Sequence, residues 1–432
     1  MDPIIIGFIG IVLMVVLIFA GFNVGVVLSF VGFVGFVAML GLDKAFSNMY
    51  LIPFATCIRY EFAVVPLFLL MGTVVGRSGI GEDAYSTART WVGHIRGGLA
   101  MATVCACGLF AATSGSSLAT AVTMGKVAYP EMRKLEYDPT LAIGCIAAGG
   151  SLGLLIPPSM AFILIGILTE VSIGKLFLAG IIPGIVEVTV YCLTIWVMCI
   201  RRPSMGPSIS PSRWGERFYS VRKIWAIALL FIIVIGGIYG GVFTPTEAGG
   251  IGALGAVIIG ILMRRLNRKD FTDSFMDSAK NVGMIIMMLV GAFIFMRFLA
   301  YTQIPALAAE WVVDLGLSPF VILLIILISF IFLGMFFDMW AVIILTVPIL
   351  FPIMIQMGYD PLWFGVIMCR MLEIGMITPP FGINLFGLAA SAEVPVGTMY
   401  RGIIPFVVAD IIVVAILVAF PVLSTFIPNI LM

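Results

Sequence analysis

The side chains that could do chemistry lie in two small polar groups, each predicted to face a consecutive proline pair. The first is Thr-Ser-Gly-Ser-Ser at residues 113–117, and it faces Pro157 and Pro158, which follow Gly153. Two prolines in a row remove backbone donors and free the carbonyls before them. Hydroxyl and carbonyl oxygens without a carboxylate suit a monovalent cation such as sodium better than a transition metal. The first group therefore predicts a sodium site.

The second group contains a carboxylate. Asp338 is predicted to face Gly375, Thr378 and Asn384, beside the pair Pro379-Pro380. A carboxylate inside a membrane pairs with a cation or carries a proton. Interrupted helices also direct their N-termini at the gap, which favours an anionic substrate group. Together the two groups predict cation-coupled uptake of an anion.

Both groups belong to a segment that occurs twice, 222 residues apart. The repeated residues are Tyr137-Asp138-Pro139 and Tyr359-Asp360-Pro361, Pro157-Pro158 and Pro379-Pro380, and Gly-Ile-Ile-Pro at 180–183 and 402–405. Internal repeats with proline-interrupted hydrophobic segments are typical of secondary transporters, whose sites lie where the two halves meet.

Each copy predicts a hairpin followed by a broken span. The hairpins are residues 97–132 and 319–356, and the broken spans are residues 139–169 and 361–390. A polar break in mid-membrane indicates a re-entrant hairpin with a tip buried in protein. An ordinary pair of spans with an outside turn is the alternative for the first hairpin, and a merely kinked helix is the alternative for each broken span.

Composition fixes the class of protein. Of 432 residues, 62% are hydrophobic and 10% are charged, whereas soluble domains carry about 25% charge. Several apolar runs approach the ~20 residues that span a bilayer core, and short alternating segments of a barrel are not what the sequence shows. We expect an all-α polytopic membrane protein.

The distribution of Lys and Arg predicts an inverted repeat. Basic residues cluster beside the first hairpin and at residues 201–223 and 264–280, which marks those loops as cytoplasmic. The flanks of the second hairpin, residues 303–318 and 357–360, contain no Lys or Arg and are predicted to lie outside. The two hairpins therefore open to opposite sides, an arrangement used for alternating access.

The expected organisation follows from these segments. It comprises scaffold helices at 1–76, a first repeat half at 77–200, a cytoplasmic linker at 201–223, scaffold helices at 224–300, and a second repeat half at 301–432 that ends in a helix at 403–428.

Three further charged residues have open interpretations. Arg370 and Glu373 are three residues apart and so share a helix face. They form either a mutual ion pair or, for Arg370, a contact to a substrate carboxylate. Glu247 follows Thr244 and Thr246, so it either supports the capped start of a helix or has a functional role.

Several function classes are excluded. The sequence has no phosphate-binding Gly-x-x-x-x-Gly-Lys-Ser/Thr run, and with one histidine it offers no nucleophile–base–acid set for an enzyme. The seven cysteines lie mostly in apolar runs without metal-site spacing. We expect no organic cofactor, no catalytic residue and no nucleic-acid partner.

Five motifs in order resemble the large (M) membrane subunit of tripartite ATP-independent periplasmic (TRAP) transporters, over nearly the whole chain. They are Val65-Pro66-Leu67-Phe68, Ser114-Gly115-Ser116, the block from Tyr137 to Pro158, Phe243-Thr244-Pro245-Thr246-Glu247-Ala248 and Thr378-Pro379-Pro380. The resemblance implies a multi-pass protein of a bacterial or archaeal cytoplasmic (inner) membrane. It also implies sodium-coupled uptake of an organic acid, such as a dicarboxylate, a keto acid or sialic acid, by an elevator motion. The implied partners are a periplasmic substrate-binding protein and a small four-helix membrane subunit.

The resemblance also implies roles for individual residues. The implied sodium ligands are Ser114, Gly115, Ser116, Gly153, Pro157, Asp338, Gly375 and Thr378. The implied substrate contacts are Thr378, Asn384 and Arg370, and the implied structural or functional positions are Glu247, Pro158, Pro379 and Pro380. A standalone sodium:anion symporter of the same superfamily is the alternative function, and a channel or scaffold is a third.

Overall fold

The computed structural model describes residues 2–307, 310 and 316–431, and its regular elements there are helices. The α-helices of the first half are α1 Pro3–Phe19, α2 Val24–Leu40, α3 Leu42–Cys57, α4 Val64–Arg77, α5 Ile80–Val92, α6 Gly98–Ser114, α7 Ser117–Lys134, α8 Pro139–Leu155, α9 Met160–Thr169 and α10 Ile173–Arg201. Those that follow are α11 Trp214–Val221, α12 Trp225–Phe231, α13 Gly237–Tyr239, α14 Pro245–Leu262, α15 Arg268–Thr302, α16 Pro319–Phe336, α17 Met339–Gln356, α18 Pro361–Ile377, α19 Ile383–Ala392, α20 Val396–Ala419 and α21 Val422–Leu431.

Shorter pieces complete the chain. They are the 3₁₀ turns Tyr60–Ala63, Pro203–Met205 and Arg222–Ile224 and the π-helix Ile232–Gly236. Nine helical segments of the described residues are long and apolar enough to cross a membrane. This confirms the predicted all-α polytopic class.

The repeat is visible in the helix ends. Helices α6, α7 and α8 end at Ser114, Lys134 and Leu155, and helices α16, α17 and α18 end 222 residues later in each case. The predicted hairpins are thus two pairs of helices, α6–α7 and α16–α17, each interrupted by two residues. Part of the predicted outer flank of the second hairpin, residues 308, 309 and 311–315, lies outside the described residues.

Both predicted broken spans are interrupted at their proline pairs. Helix α8 ends at Leu155 before α9, and α18 ends at Ile377 before α19. The next residues, Ile156 and Thr378, have extended backbone with ψ of 123° and 129°, as expected because a following proline disfavours the helical region. Each helix continues two residues past the glycine at which the break was predicted, Gly153 or Gly375.

The two repeat halves touch closely where α8 crosses α20. A Cβ on Gly144 would lie 2.2 Å from the carbonyl oxygen of Gly402. Side chains are therefore excluded from this crossing, and the backbones meet directly. The broken helix of one half is in this way anchored on the last long helix of the other.

The predicted linker contains a short helix, and the predicted last helix is divided in two. Residues 201–223 contain α11, and Tyr137 holds this segment by donating from its hydroxyl to the Pro207 carbonyl at 2.8 Å. Burial raises the pKa of Tyr137 to about 12, so the hydroxyl keeps its proton. The single helix predicted at 403–428 is two helices, because Pro421 interrupts it and Phe420 before it leaves the helical region.

Glu247 has a structural role at the start of α14. Its carboxylate accepts from the backbone N–H of Thr244 at 2.8 Å, and the Thr244 hydroxyl accepts from the Glu247 N–H at 3.3 Å. This reciprocal arrangement is a capping box. Of the two threonines considered from the sequence, Thr244 is the cap.

Candidate functional site

A cavity of about 290 Å³ lies where the two hairpin tips, the two helix breaks and the scaffold meet. Its polar side chains are Ser116, Ser117, Asn281, Asp338 and Asn384. Five methionines form much of the remaining wall, namely Met160, Met284, Met288, Met339 and Met376. The cavity thus combines polar groups from both repeat halves with an apolar wall.

Four helices begin at this cavity. Helices α7, α9, α17 and α19 start at Ser117, Met160, Met339 and Ile383, and each of these residues lines it. A helix N-terminus carries roughly half a positive charge and unpaired N–H groups. Among the described residues that line the cavity there is no Arg, Lys or His. The positive potential available to an anion therefore comes from backbone rather than from cationic side chains.

The first tip meets the first helix break, as predicted. Gly115 has a positive φ of 60°, and its carbonyl accepts from the N–H of Met160 at 3.4 Å. Ser116 caps α7 by accepting from the N–H of Ala119 at 3.4 Å. Gly153 lies beneath this tip, because a Cβ there would be 2.6 Å from the backbone carbon of Ser116.

Of the five sodium ligands predicted at the first site, Ser116 lines the cavity, whereas Ser114, Gly115, Gly153 and Pro157 do not. The Ser114 hydroxyl is buried and hydrogen-bonded to the Thr120 hydroxyl at 2.9 Å. Pro157 lines a different, largely apolar cavity between α6, α10 and α12. Its neighbour Pro158 stays next to the tip, since its carbonyl oxygen would be 2.7 Å from a Cβ on Gly115.

The second tip places Asp338 in the cavity, where it caps α17 by accepting from the N–H of Ala341 at 2.9 Å. Two of its three predicted neighbours, Gly375 and Thr378, are not among the residues that line the cavity. Gly375 packs against α16, the first helix of the second hairpin, because a Cβ there would be 2.7 Å from the Cα of Gly334. Thr378 is half-buried outside the cavity lining and donates its hydroxyl to the Ile374 carbonyl. The cavity wall therefore does not bring Gly375 and Thr378 together with Asp338, and their sodium-binding role stays a prediction.

Asn384 lies in the cavity and connects the halves. Its side-chain amide donates to the Ser117 hydroxyl at 3.0 Å. Its carbonyl oxygen is buried and has no hydrogen-bond partner among the described residues. A buried acceptor without a partner costs about 1–3 kcal/mol, so this oxygen is suited to receive a donor or a cation from a bound ligand.

Arg370 lies in a buried ion cluster outside the cavity lining. Its guanidinium contacts the Glu187 carboxylate at 2.7 Å and forms a second ion pair with Asp410. The Tyr191 hydroxyl accepts from Arg370 at 2.9 Å and donates to Asp410 at 2.5 Å. The charged members are fully buried, and they join α18 and α20 of the second half to α10 of the first.

The ion pair considered between Arg370 and Glu373 is absent from the described residues. Both oxygens of the buried Glu373 carboxylate lack a hydrogen-bond partner there. The guanidinium instead has two carboxylates from other helices. The guanidinium is fully buried and has no exposed face with which to contact a substrate carboxylate in this arrangement.

Sequence reasoning missed the partners of Arg370 and the polar group on α15. Glu187 and Asp410 are single acidic residues inside long apolar helices, which is itself the mark of a paired or functional group. Asn281 stands one turn before Met284 and Ile285 on the cavity face of α15. The polar side chain of Asn281 beside an apolar run is the feature of the sequence that could have indicated this position.

Gly153→Ala is expected to destabilise the protein, because its Cβ would meet the backbone of Ser116 and Ser117 at 2.6–2.8 Å. A glycine-to-alanine change inside a helix normally stabilises by up to about 1 kcal/mol, whereas overpacking costs about 1–3 kcal/mol. Thermal unfolding of the purified protein measures the sign. Gly283→Ala on α15 is the control, since nothing lies within 4 Å of that Cβ. An unchanged or raised Tm for Gly153→Ala would show that the tip does not rest on this glycine.

Comparison with known proteins gives consistent matches. A family model described as "Tripartite ATP-independent periplasmic transporter, DctM component" matches residues 11–423. The chain is 36% identical over 379 residues to the C4-dicarboxylate TRAP transporter large permease protein DctM of Pseudomonas aeruginosa, covering 87% of this chain and 88% of that one. It is 32% identical over 414 residues to the sialic acid TRAP transporter large permease protein SiaM of Vibrio cholerae, covering 96% of each.

A third curated relative is the ectoine TRAP transporter large permease protein TeaC of Halomonas elongata, 32% identical over 420 residues and covering 96% of each chain. Among solved structures, the YdaH transporter of Alcanivorax borkumensis matches with a TM-score of 0.64 and 16% identity, over 90% of this chain and 91% of that one. At that identity the likeness concerns the fold alone.

Proposed function

The chain belongs to the DctM family of TRAP transporters, as a large permease subunit, and from this premise we propose that it couples sodium entry to the uptake of an organic acid. It is a multi-pass protein of the inner membrane. The observation that carries the proposal is the cavity at the two tips, which gathers four helix N-termini and one carboxylate without a cationic side chain among its described lining residues.

Charge balance supports cation coupling. A carboxylate substrate in this cavity meets the partial positive charge of the helix N-termini, but it also meets the negative charge of Asp338. An isolated charge is costly in a low-dielectric site. A cation held beside Asp338, with another at the Ser116 tip, offsets both charges. Sodium suits these oxygen donors. When the substrate and the ion enter together, their opposite charges reduce the desolvation cost of each.

The division of the cavity wall supports an elevator motion. Tips and broken helices supply one side through α7, α9, α17 and α19, while α4 and α15 supply the other through Leu69 and the Asn281–Met288 face. The scaffold side is apolar apart from Asn281. A body that carries its polar groups with it can move along such a wall without breaking hydrogen bonds to it.

Partners and substrate follow from the family. TRAP large permease subunits work with a small membrane subunit and a periplasmic binding protein, and we propose a small four-helix subunit and a dedicated binding protein for this chain. The relatives are named for C4-dicarboxylates, sialic acid and ectoine. A carboxylate is common to the substrates of these three relatives, so we propose a carboxylate-containing organic acid as substrate.

Reconstitution of the chain with its small subunit and binding protein tests the proposal. We expect uptake of the binding protein's ligand to rise at least about tenfold when an inward sodium gradient is imposed, and to vanish without the binding protein. Uptake that ignores the gradient would contradict sodium coupling. Uptake by the chain alone would instead identify a standalone symporter, and an ionic conductance without concentrative uptake would identify a channel.

A further inference from the structure

A second polar feature lies in the scaffold, away from the cavity at the tips. Arg59, just after α3, and Arg297, near the end of α15, line one cavity of about 310 Å³ together with Thr56 and Phe293. The Arg59 guanidinium lies 5.4 Å from the centre of the Phe293 ring. Neither arginine has an ion pair with a carboxylate in the part of the chain that the structure describes. Both arginines are exposed and line the same cavity, so an anion bound there would be attracted by two positive charges.

The depth of this cavity in the membrane can be read from α15. Near the cytoplasmic end of that helix, Asp277 pairs with Arg77 of α4 at 2.5 Å. From Asp277 to Arg297 is about 30 Å of helix at ~1.5 Å per residue, which equals the thickness of a hydrocarbon core of about 30 Å. The segment from Arg59 through the 3₁₀ turn and helix α4 contacts α15 at both of its ends, because Arg59 lies against Phe293 and Arg77 pairs with Asp277. The two arginines therefore lie at the headgroup level opposite the cytoplasmic basic loops.

The surface next to the arginines has the character of a membrane interface. Helix α3 is not among the helices of the described residues that are apolar enough to span. It exposes Phe46, Tyr50 and Phe54 on successive turns. Exposed aromatic side chains form belts at headgroup level, and an amphipathic helix with such a face lies in the interface plane. The surroundings of Arg59 and Arg297 thus match the place where a lipid phosphate resides.

We propose that Arg59 and Arg297 bind the phosphate of an anionic phospholipid in the outer leaflet of this membrane. Guanidinium groups bind phosphate oxygens through paired hydrogen bonds and stay charged at any physiological pH. The buried hydroxyl of Thr56 is engaged with the Ile52 carbonyl at 2.7 Å, which leaves the guanidinium donors as the groups available to the phosphate. The lipid would bridge α3 to α15 and fix the interfacial helix on the scaffold.

Binding of phosphatidylglycerol to the co-purified large and small subunits tests this site. Native mass spectrometry and a thermal-shift titration report the affinity, with phosphatidylcholine as the zwitterionic reference. We expect phosphatidylglycerol to be retained, and each of Arg59→Gln and Arg297→Gln to weaken it about fivefold, since one basic side chain near an anionic surface contributes on that scale. The double variant should lose about 25-fold. Lys44→Gln, on the exposed surface of the same helix α3, is the matched control and should bind as wild type.

Each other outcome overturns the assignment. Equal affinity of the double variant and wild type would show that the arginines do not bind lipid. An equal thermal shift with inorganic phosphate alone would identify a site for the free anion. Loss of the small subunit from the double variant would show that acidic side chains of that subunit occupy the arginines. Sodium-driven uptake is not needed for any of these readouts, so the site stands or fails independently of the transport proposal.

Discussion

Arg370→Met is expected to reduce the free energy of unfolding by about 3–5 kcal/mol, enough to remove most folded protein from the membrane. The substitution leaves the Glu187 and Asp410 carboxylates buried without their cation, and removing one partner of a buried ion pair costs on this scale. Thermal unfolding of the detergent-purified protein, together with the yield of monodisperse protein, measures the loss. Arg268→Met, an exposed arginine at the start of α15, is the control and should change the Tm little.

The cluster offers its own compensating variant. Glu187→Gln and Asp410→Asn added to Arg370→Met remove all three charges and should restore most of the lost stability, because a buried cluster replaced as a whole is often neutral. A rise in KM for uptake with an unchanged Tm in Arg370→Met would contradict this interpretation. That result would return Arg370 to the substrate-binding role expected from the sequence.

Asp338→Asn is expected to raise the sodium concentration for half-maximal uptake at least about tenfold. At an effective dielectric constant of about 20, a carboxylate and a monovalent cation ~4 Å apart attract each other by about 4 kcal/mol, and a tenfold change needs about 1.4 kcal/mol. Asparagine retains an oxygen that can accept from the Ala341 N–H, so the cap on α17 persists. The variant therefore tests the charge rather than the helix start.

Asp360→Asn provides a matched control. Asp360 also caps a helix of the second half, accepting from the N–H groups of Leu362 and Trp363 at 2.8 and 3.0 Å, but it does not line the cavity. The Asp360→Asn variant should leave sodium activation unchanged.

For the first tip, Ser116→Ala should weaken sodium activation by a smaller factor than Asp338→Asn. Ser172→Ala, which removes the cap of α10, is its control. Normal sodium activation in both tip variants would refute the assignment of ions to the tips.

The features that the sequence predicted correctly rest on local backbone chemistry. A proline pair ends a helix whatever surrounds it, because the missing donors and the restricted preceding residue are properties of the peptide itself. Asp138 and Asp360, noted from the sequence only as members of the repeat, cap the helices that follow them by the same kind of local chemistry. Because the segment is repeated in the sequence, each local prediction for the first copy also applies to the second. The ends of α6 to α8 accordingly recur in α16 to α18.

The features that it missed depend on how the helices pack. Nothing within residues 370–373 shows that Arg370 has partners 183 positions before it and 40 positions after it, at Glu187 and Asp410. The Thr378 hydroxyl is used by a carbonyl of its own helix, a competition common for threonine. Gly375 contacts Gly334 of helix α16, because two glycines let helix backbones approach closely. Residue types indicated the polar groups, but only their neighbours decide which of them face the cavity.

The five methionines of the cavity wall bear on how this architecture diversifies. Methionine is unbranched and adaptable, so a surface built from it can fit bodies of different shape at little cost. A selective pocket would need to be rebuilt for every new cargo, whereas a pliable one tolerates exchange of the protein that delivers the cargo. The relatives named for ectoine, sialic acid and C4-dicarboxylates are each 32–36% identical to this chain over most of its length. A methionine-lined wall of this kind would allow substrate specificity to change in the periplasmic binding protein while the membrane subunit stays the same.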